Sequence, residues 1–196
     1  MSQVPVPSAA RFAPSYPITT ERLLLRPFSR GDVAAVHAYR GLPEIAQYLS
    51  DPPLSLDECA EAVRARTTQI AFTAEGDRIV LALERRADAQ LVGEVSLTWR
   101  SVANQQAEIG YIVAPTAQRQ GFATEAADAL LAFGFEQAEL HRVYARCDAR
   151  NEASTLVMKR LGMHQEAHFM EHRFNKGRWE QELVWAILAE DWHGAR

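Results

Sequence analysis

The chain has 196 residues, of which 47% are hydrophobic and 23% are charged, and its formal net charge is −4. These values fit one globular domain with a substantial core, and the slightly acidic balance argues against a nucleic-acid-binding protein. Cys59 and Cys147 offer neither a disulfide framework nor a metal-binding spacing, and no apolar run has the length of a membrane span or a signal peptide. The sequence therefore predicts a cytoplasmic protein with no membrane or nucleic-acid partner.

The N-terminal half reads as a proline-rich lead-in followed by short strands and helices. Residues 1–17 are expected to be flexible, and residues 18–196 are expected to form a single domain. Ser55 and Glu58 have the spacing of a capping box, which predicts the start of a helix. The predicted elements are a strand over 22–26, helices reaching about Arg40, over 44–49 and over 59–68, and a hairpin of strands over 78–84 and 91–99.

The central stretch has the order strand, glycine-bearing loop, helix. Residues 109–113 form an apolar run, Ala114-Pro115 breaks it, and a helical pattern runs from Thr124 to Leu131. The first N–H groups of a helix lack partners and attract anions, and Gly121 has no Cβ to keep a phosphate away. Arg119 can add charged hydrogen bonds. The stretch predicts a pyrophosphate site, although a plain strand-to-helix turn would give the same pattern.

The C-terminal half adds two strands around a helix and then a long hairpin. Residues 142–148 predict a strand that, after the central helix, would complete a right-handed parallel crossover. A helix is predicted over 152–161, with Asn151 as its N-cap and Gly162 just past its end. Residues 163–175 and 178–189 predict the final hairpin. The result is an α/β fold, a mixed sheet with helices on both faces.

Several motifs in order resemble those of one enzyme superfamily. No GxxxxGK[ST] or GxGxxG follows a strand, whereas Gln118-x-x-Gly121-x-Ala123 resembles the Q/R-x-x-G-x-G/A signature of the GNAT N-acetyltransferases. The branch with the ribosomal-protein alanine N-acetyltransferases is the most similar, and the resemblance runs from about Thr20 to about Trp192. The motifs that carry it are Glu108-Ile-Gly-Tyr111, Gly121-Phe-Ala-Thr-Glu-Ala126, Leu140-His-Arg-Val143, Asn151-Glu-Ala-Ser154 and Leu161-Gly-Met163.

The resemblance implies a GNAT fold, whose mostly antiparallel sheet has a parallel strand pair at the cofactor site. It implies acetyl-CoA as the acetyl donor, no metal, and an amine-bearing acceptor, either a protein N-terminus or a small molecule, with the protein a monomer or homodimer. Acceptor specificity is expected in Leu42 to Leu56 and the C-terminal hairpin. The residues implied to bind the cofactor are Ile112, Val113, Gln118, Arg119, Gln120, Gly121, Phe122, Ala123, Thr124, Asn151 and Ser154.

Amine acetylation needs a base for the amine and an acid for the departing thiolate. Glu108 is one candidate base, since the family often has a carboxylate at that strand. Glu171 is the second candidate. The alignment puts Arg173 where relatives carry a glutamate, and Glu171, two residues earlier, is expected on the same face of the strand. The tyrosine that many relatives use as the acid is Met158 here, and Ser154 is the candidate instead. Glu108 also fits a solvated glutamate at a strand end or an ion-pair partner, and Ser154 fits a helix cap. A water-mediated route with an amine that is already neutral is the alternative to a glutamate base.

Other patterns point away from a metal or a substrate box. His164, His168 and His172 recur every four residues, but on a strand that step spans about 13 Å, so no two could share an ion. Trp99, Trp179 and Trp185 are expected to pack in the core or along strands. The main hypothesis is an acetyl-CoA-dependent N-acetyltransferase that transfers the acetyl group directly in a ternary complex. The alternatives are a catalytically silent acyl-CoA-binding module and, less favoured, a nucleotide-binding regulator.

Overall fold

The computed structural model describes residues 12–194, which form one eight-stranded sheet with six α-helices around it. The strands are Ile18–Thr19 (β1), Leu23–Pro27 (β2), Arg78–Arg85 (β3), Gln90–Ser101 (β4), Gln106–Val113 (β5), Arg142–Asp148 (β6), His164–Asn175 (β7) and Arg178–Leu188 (β8). The helices are Val33–Arg40 (α1), Pro43–Ala46 (α2), Leu56–Arg66 (α3), Phe122–Glu136 (α4), Glu152–Arg160 (α5) and Ala189–Gly194 (α6).

The strand order is β1-β2-β3-β4-β5-β6-β8-β7. Every neighbouring pair is antiparallel except β5 and β6, which are parallel and joined through α4. The predicted fold class, a mostly antiparallel mixed sheet with one parallel pair, is confirmed.

Strand alternation divides the core between the two faces of the sheet. On β5, Ala107 and Ile109 belong to a large cluster that includes Phe122 and Leu130 of α4. Ile112 points to the other face and packs against a smaller cluster. That smaller cluster joins side chains of α1 and α3 to the sheet: Val36, Tyr39, Cys59, Val63, Val80 and Ala82. Helices therefore cover both faces, as the sequence predicts.

Local capping fixes the ends of two helices near their predicted positions. The Ser55 hydroxyl accepts from the Glu58 N–H, while the Glu58 carboxylate accepts from the Ser55 N–H, which confirms the capping box. The Asn151 side chain caps α5, and Gly162 follows that helix with a φ of +78°. Met163 N–H then donates to the Met158 carbonyl, which closes the turn beyond α5.

The predicted lead-in extends beyond the described part of the chain, since residues 1–11 lie outside it. Its last residues contact the sheet: Phe12 pairs with Phe72, and the Tyr16 hydroxyl donates to the Ile70 carbonyl at 2.7 Å. Within residues 12–194, no helix is long and apolar enough to cross a membrane.

Gly93 allows β4 and β5 to approach closely, and it provides a test of the fold. A Cβ on Gly93 would lie 2.3 Å from the Ile112 carbonyl oxygen, which is too close for any real contact. We expect Gly93→Ala to lower the stability by about 1–3 kcal/mol, because the β5 backbone must shift. Chemical denaturation measures the change. Gly194→Ala, where nothing lies within 4 Å, is the control and should be near neutral; equal stabilities for the two variants would contradict the assigned contact.

Candidate active site

The parallel strands β5 and β6 separate part of the way along. They pair only over Gln106–Glu108 and Arg142–Tyr144, after which β5 continues to Val113 and β6 to Asp148 without pairing to each other. This separation leaves main-chain N–H and C=O groups of both strands facing a gap. The sequence predicted the pair but not where it opens.

The loop after β5 forms a concave row of N–H groups at the start of α4. Arg119 and Gly121 both have left-handed backbone, with φ of +62° and +84°, and Gly121 is the N-cap without a side-chain cap bond. Among the described residues, no acceptor takes the N–H groups of residues 119–124, and the first N–H bonded in α4 is that of Glu125. Such a nest at a helix N-terminus is a favourable site for an anion.

The loop side chains mostly shape this row of N–H groups. Gln118 Nε2 donates to the Val113 carbonyl at 3.0 Å, and Gln120 Nε2 donates to the Thr116 carbonyl at 3.3 Å. Phe122 is buried in the core, which anchors the first turn of α4. The Thr124 hydroxyl is buried and has no partner among the described residues. The row of free N–H groups and the open backbone at Gly121 fit a pyrophosphate, and the exposed Arg119 adds a positive charge.

A clamp from the N-terminal segment holds this loop, and the sequence analysis missed it. Glu125 Oε1 accepts from the Thr20 hydroxyl at 2.6 Å and from the Arg22 N–H at 2.8 Å. The Arg22 guanidinium binds Glu125 Oε2 at 2.6 Å and donates to the Gln120 carbonyl at 2.7 Å. Arg22 also lies over the Phe122 ring. The clamp joins residues about a hundred positions apart, so no local pattern in the sequence could indicate it.

A tyrosine and a serine meet across the gap. The Tyr111 hydroxyl lies 2.9 Å from Ser154 Oγ and 3.1 Å from the Ser154 carbonyl oxygen. Asn151 Oδ1 accepts from the Ser154 N–H at 3.1 Å, so the asparagine is the helix cap and the serine hydroxyl is directed to Tyr111. Burial raises the pKa of Tyr111, so the phenol stays protonated. Sequence reasoning missed Tyr111 because its strand position looked like ordinary packing.

Two other side chains near α5 are buried. Met158, at the position of the family tyrosine, is fully buried in the core. Cys147, near the end of β6, is also buried, and its burial raises the pKa of the thiol. A buried thiol with a raised pKa is a poor nucleophile at neutral pH.

Glu108 lies where β5 and β6 begin to separate, and two arginines bind it. Its Oε2 lies 2.7 Å from Arg100 Nη2, and its Oε1 lies 3.1 Å from Arg146 Nε. An amine or water would have to share the carboxylate oxygens with both guanidiniums. The role of Glu108 as the base stays a prediction, whereas its structural role as an ion-pair partner of two arginines is clear.

Glu171 lies in an irregular part of β7. Phe169 pairs with Glu182, and Arg173 pairs with Glu180. Between these two pairs the chain advances four residues on β7 but only two residues on β8, so β7 bulges. Glu171 itself has a φ of +48°. The expectation that Glu171 and Arg173 share a face by simple alternation does not apply across this bulge. Arg173 instead binds Glu180 at 2.8 Å.

The remaining predicted patterns have structural explanations. The three histidines lie on strand β7; His168 contacts Gln181 at 2.9 Å, and His172 lies 3.8 Å from Glu182. Among the described residues, no group of three or more histidine, cysteine or acidic side chains is arranged to hold a metal. Trp99 and Trp185 are in the core, whereas Trp179 is exposed beside Phe174 on the hairpin.

The hairpin turn is fastened to the loop after α2. Lys176 Nζ donates to the carbonyl oxygens of Ala46, Leu49 and Asp51, each at 2.7 Å. The Arg178 guanidinium adds a bond to the Gln47 carbonyl at 3.1 Å. The two segments in which acceptor specificity was expected are therefore joined into one wall.

The family follows from this fold and from sequence comparison. A sequence profile described as "Acetyltransferase (GNAT) domain" matches residues 22–164. The chain belongs to the GNAT acetyltransferase family and is an N-acetyltransferase.

Two curated relatives align over most of their length. The chain is 31% identical over 176 residues to "Uncharacterized N-acetyltransferase YnaD" of Bacillus subtilis (strain 168), which covers 90% of this chain and 99% of that protein. It is 28% identical over 168 residues to a spermidine N(1)-acetyltransferase of Vibrio cholerae, which covers 85% of this chain and 93% of that protein.

Solved structures show the same architecture. A GNAT-family acetyltransferase from Bacillus anthracis superposes with a TM-score of 0.78 at 28% identity, covering 88% of this chain and 98% of that one. RimL, a ribosomal L7/L12 α-N-protein acetyltransferase solved with CoA, superposes with a TM-score of 0.74 at 21% identity, covering 86% of this chain and 95% of that one. At that identity the likeness to RimL concerns the fold alone.

The clamp at Glu125 generates a pH-dependent prediction. Partial burial alone would raise the pKa of Glu125, but hydrogen bonds from Thr20 and Arg22 outweigh it and the pKa lies below its ordinary value. The carboxylate therefore contributes stability that is present above the unfolded pKa of about 4.3 and is lost as pH falls through the folded pKa. We expect Glu125→Gln to lower the Tm at pH 7, with a difference from wild type that shrinks below about pH 4.

Thermal melts of both proteins from pH 7 to pH 3 measure this effect. Glu136→Gln, at the exposed far end of the same helix, is the matched control. A Glu125→Gln deficit in Tm that stays constant across this range would show that the charge of Glu125 does not carry the clamp.

Proposed function

We propose that the protein transfers the acetyl group of acetyl-CoA directly to a primary amine in a ternary complex. The observation that carries the proposal is the row of free N–H groups over residues 119–124, directly beside the gap between β5 and β6. An anion nest next to an opened strand pair suits an elongated ligand with a pyrophosphate in the middle. The match to the GNAT acetyltransferase family supports acetyl-CoA as this ligand.

Different residues would bind different parts of acetyl-CoA. The N–H groups of residues 119–124 and the Arg119 side chain would bind the pyrophosphate, with Gln118, Gln120, Phe122, Ala123 and Thr124 shaping that loop. The β5 backbone at Ile112 and Val113, which does not pair with β6, would bind the pantetheine arm by main-chain hydrogen bonds. Asn151, which caps α5, lies at the opposite side of the gap. Acetyl-CoA supplies a thioester whose carbonyl carbon accepts the amine.

The chemistry requires two proton movements. The neutral amine nitrogen forms a bond to the carbonyl carbon, the C–S bond breaks, the amine nitrogen loses one proton and the thiolate sulfur gains one. A protein N-terminus, with a pKa of about 7.7–8.0, is partly neutral at pH 7, whereas a lysine-type amine at about 10.4 needs a base. Glu108 and Glu171 remain the candidate bases, and holding both reactants in place contributes independently of either.

The Tyr111–Ser154 pair is suited to the second proton movement. The Tyr111 hydroxyl has one proton, which it can donate to the Ser154 carbonyl oxygen or to Ser154 Oγ. When it donates to Ser154 Oγ, the serine proton is free to donate to the leaving sulfur. Because burial keeps the phenol protonated, Tyr111 can act as the donor in this arrangement at neutral pH. The pair would thus supply the proton that Met158 cannot.

A catalytically silent acyl-CoA-binding module is the second candidate. Two observations favour it: Met158 is fully buried at the family tyrosine position, and both Glu108 oxygens are bound by arginines. Thiol release from acetyl-CoA over a panel of amines and peptides separates the candidates. Tight CoA binding without release on any amine would select the silent module.

The loop assignment is tested with Gly121→Glu. This change places a side chain and a negative charge in the nest, and its backbone would be strained at a φ of +84°. We expect the acetyl-CoA affinity in calorimetry to fall at least about 100-fold, because a carboxylate beside the pyrophosphate is repelled. Gly76→Glu, at a φ of +94° with nothing within 4 Å, carries the same strain away from the loop and is the control. Unchanged affinity in Gly121→Glu would refute the assignment.

The hydroxyl pair is tested by removing each member. Ser154→Ala should lower kcat about 100-fold with acetyl-CoA affinity nearly intact, as expected for loss of an acid. Tyr111→Phe should lower kcat by about 10-fold, because it removes one hydrogen bond that orients the serine. Steady-state kinetics and calorimetry measure both effects, and Tyr16→Phe, whose hydroxyl bonds the Ile70 carbonyl away from the gap, is the control. Wild-type kcat in Ser154→Ala would remove the serine from the chemistry.

A further inference from the structure

One row of side chains crosses the sheet on the face that carries α1 and α3. Arg78 of β3 lies opposite Thr98 of β4, Thr98 lies opposite Glu108 of β5, and Glu108 lies opposite Tyr144 of β6. Val80, two residues after Arg78, packs in the cluster under α1 and α3, so the row is on that face. The row therefore ends at the point where β5 and β6 separate.

The helical side of this row contains a buried ionic group. The Glu94 carboxylate is bound by Arg66 Nη2 at 2.9 Å, by the Tyr39 hydroxyl at 2.7 Å and more distantly by Arg40 at 3.7 Å. Glu94 is 6% exposed. Arg66, the last residue of α3, keeps its second terminal nitrogen, Nη1, buried without a hydrogen-bond partner among the described residues. The net positive charge of this group is therefore only partly balanced by Glu94, although a buried guanidinium N–H without an acceptor is costly.

Arg78 stands next to this group as an unpaired cation. Its side chain is exposed, and within residues 12–194 no carboxylate lies at ion-pair distance from it. Partial loss of water and the positive charges of Arg66 and Arg100 lower the pKa of Arg78, with Glu94 and Glu108 opposing the change.

The carboxylates on this face are already paired. Glu108 binds Arg100 and Arg146, and Glu182 lies 3.7 Å from Arg146. Arg78 is therefore a surplus positive charge at one end of the row, and the other end of the row lies at the opening between β5 and β6. A polycationic amine would be repelled here, whereas an anionic group would be attracted.

We propose that the acceptor is a primary amine that carries a carboxylate, which Arg78 binds. The inference rests on the proposed acetyl transfer, because it places the amine at the gap. Two strand spacings separate Arg78 from Glu108, roughly 10 Å between their Cα atoms. The carboxylate therefore lies several bonds from the amine, as in a short ω-amino acid or in an acidic residue just after a peptide N-terminus.

Matched acceptors test the inference. The first pair is 4-aminobutyrate and 4-aminobutanamide, in which the acid and its amide differ in charge while the distant amine is nearly unchanged. The second pair is two peptides that differ only in Asp or Asn at their second position. We expect the acid of at least one pair to have a kcat/KM about 10- to 100-fold above its amide, as for a charge-assisted hydrogen bond. The pair that shows the preference distinguishes a small molecule from a peptide.

Arg78→Met should bring that ratio close to one, mainly through KM for the acid. Arg64→Met, an exposed arginine on α3, is the matched control and should keep the wild-type ratio. Calorimetry with acetyl-CoA checks that the cofactor site of Arg78→Met is intact. Spermidine is the polycationic comparison, because a relative is named for its acetylation.

Three outcomes would overturn the inference: an acid-to-amide ratio near one, a preference for spermidine, or an unchanged ratio in Arg78→Met. Turnover of neutral amines would leave the acetyltransferase proposal standing in each case. If no amine is acetylated, the anion site at Arg78 can still be tested without turnover, by calorimetric binding of the same four ligands to the complex with CoA. Tighter binding of the acids, lost in Arg78→Met, would support the anion site, and equal binding would reject it.

Discussion

The parallel pairing of β5 and β6 stops after Glu108 and Tyr144, and the two strands then separate. Both strands stay in the sheet because β5 pairs with β4 and β6 pairs with β8, so the sheet remains continuous despite the gap. Main-chain groups of both strands along the gap are therefore left without a strand partner. The gap ends at the loop where the N–H groups of residues 119–124 are free, which makes the strand opening and the anion nest parts of one site.

Charged side chains hold the surroundings of that gap in place. Glu125 and Arg22 bind the loop to the N-terminal segment, while Glu108 with Arg100 and Arg146 binds β4, β5 and β6 together at the branching point. Lys176 fastens the hairpin to the loop after α2. These contacts link separate strands, helices and loops, and each carboxylate that is paired in this way is less available as a base. This arrangement explains why the residues that would bind acetyl-CoA are easier to assign than the residue that would accept the amine proton.

Much of the fold could be predicted from the sequence, because its signals are local. The Ser55–Glu58 capping box, the Asn151 cap, Gly121 at a left-handed position and the alternating strands act within a few residues. The family resemblance extended this to the parallel pair and the loop. The contacts of Arg22, Tyr111 and Arg78 depend on register across the sheet, so no local pattern marks them. The bulge in β7 likewise invalidated an alternation argument that regular strands would have supported.

Amide hydrogen exchange with and without CoA tests the central claim most directly. In the free protein the N–H groups of residues 119–124 have no acceptor among the described residues, so they should exchange fast compared with those in the middle of α4. Saturating CoA should slow the exchange of these loop amides strongly and that of Ile112 and Val113 as well, with little change in α1 and α3. Binding of CoA that leaves residues 119–124 unprotected would contradict the account of this loop as the pyrophosphate site.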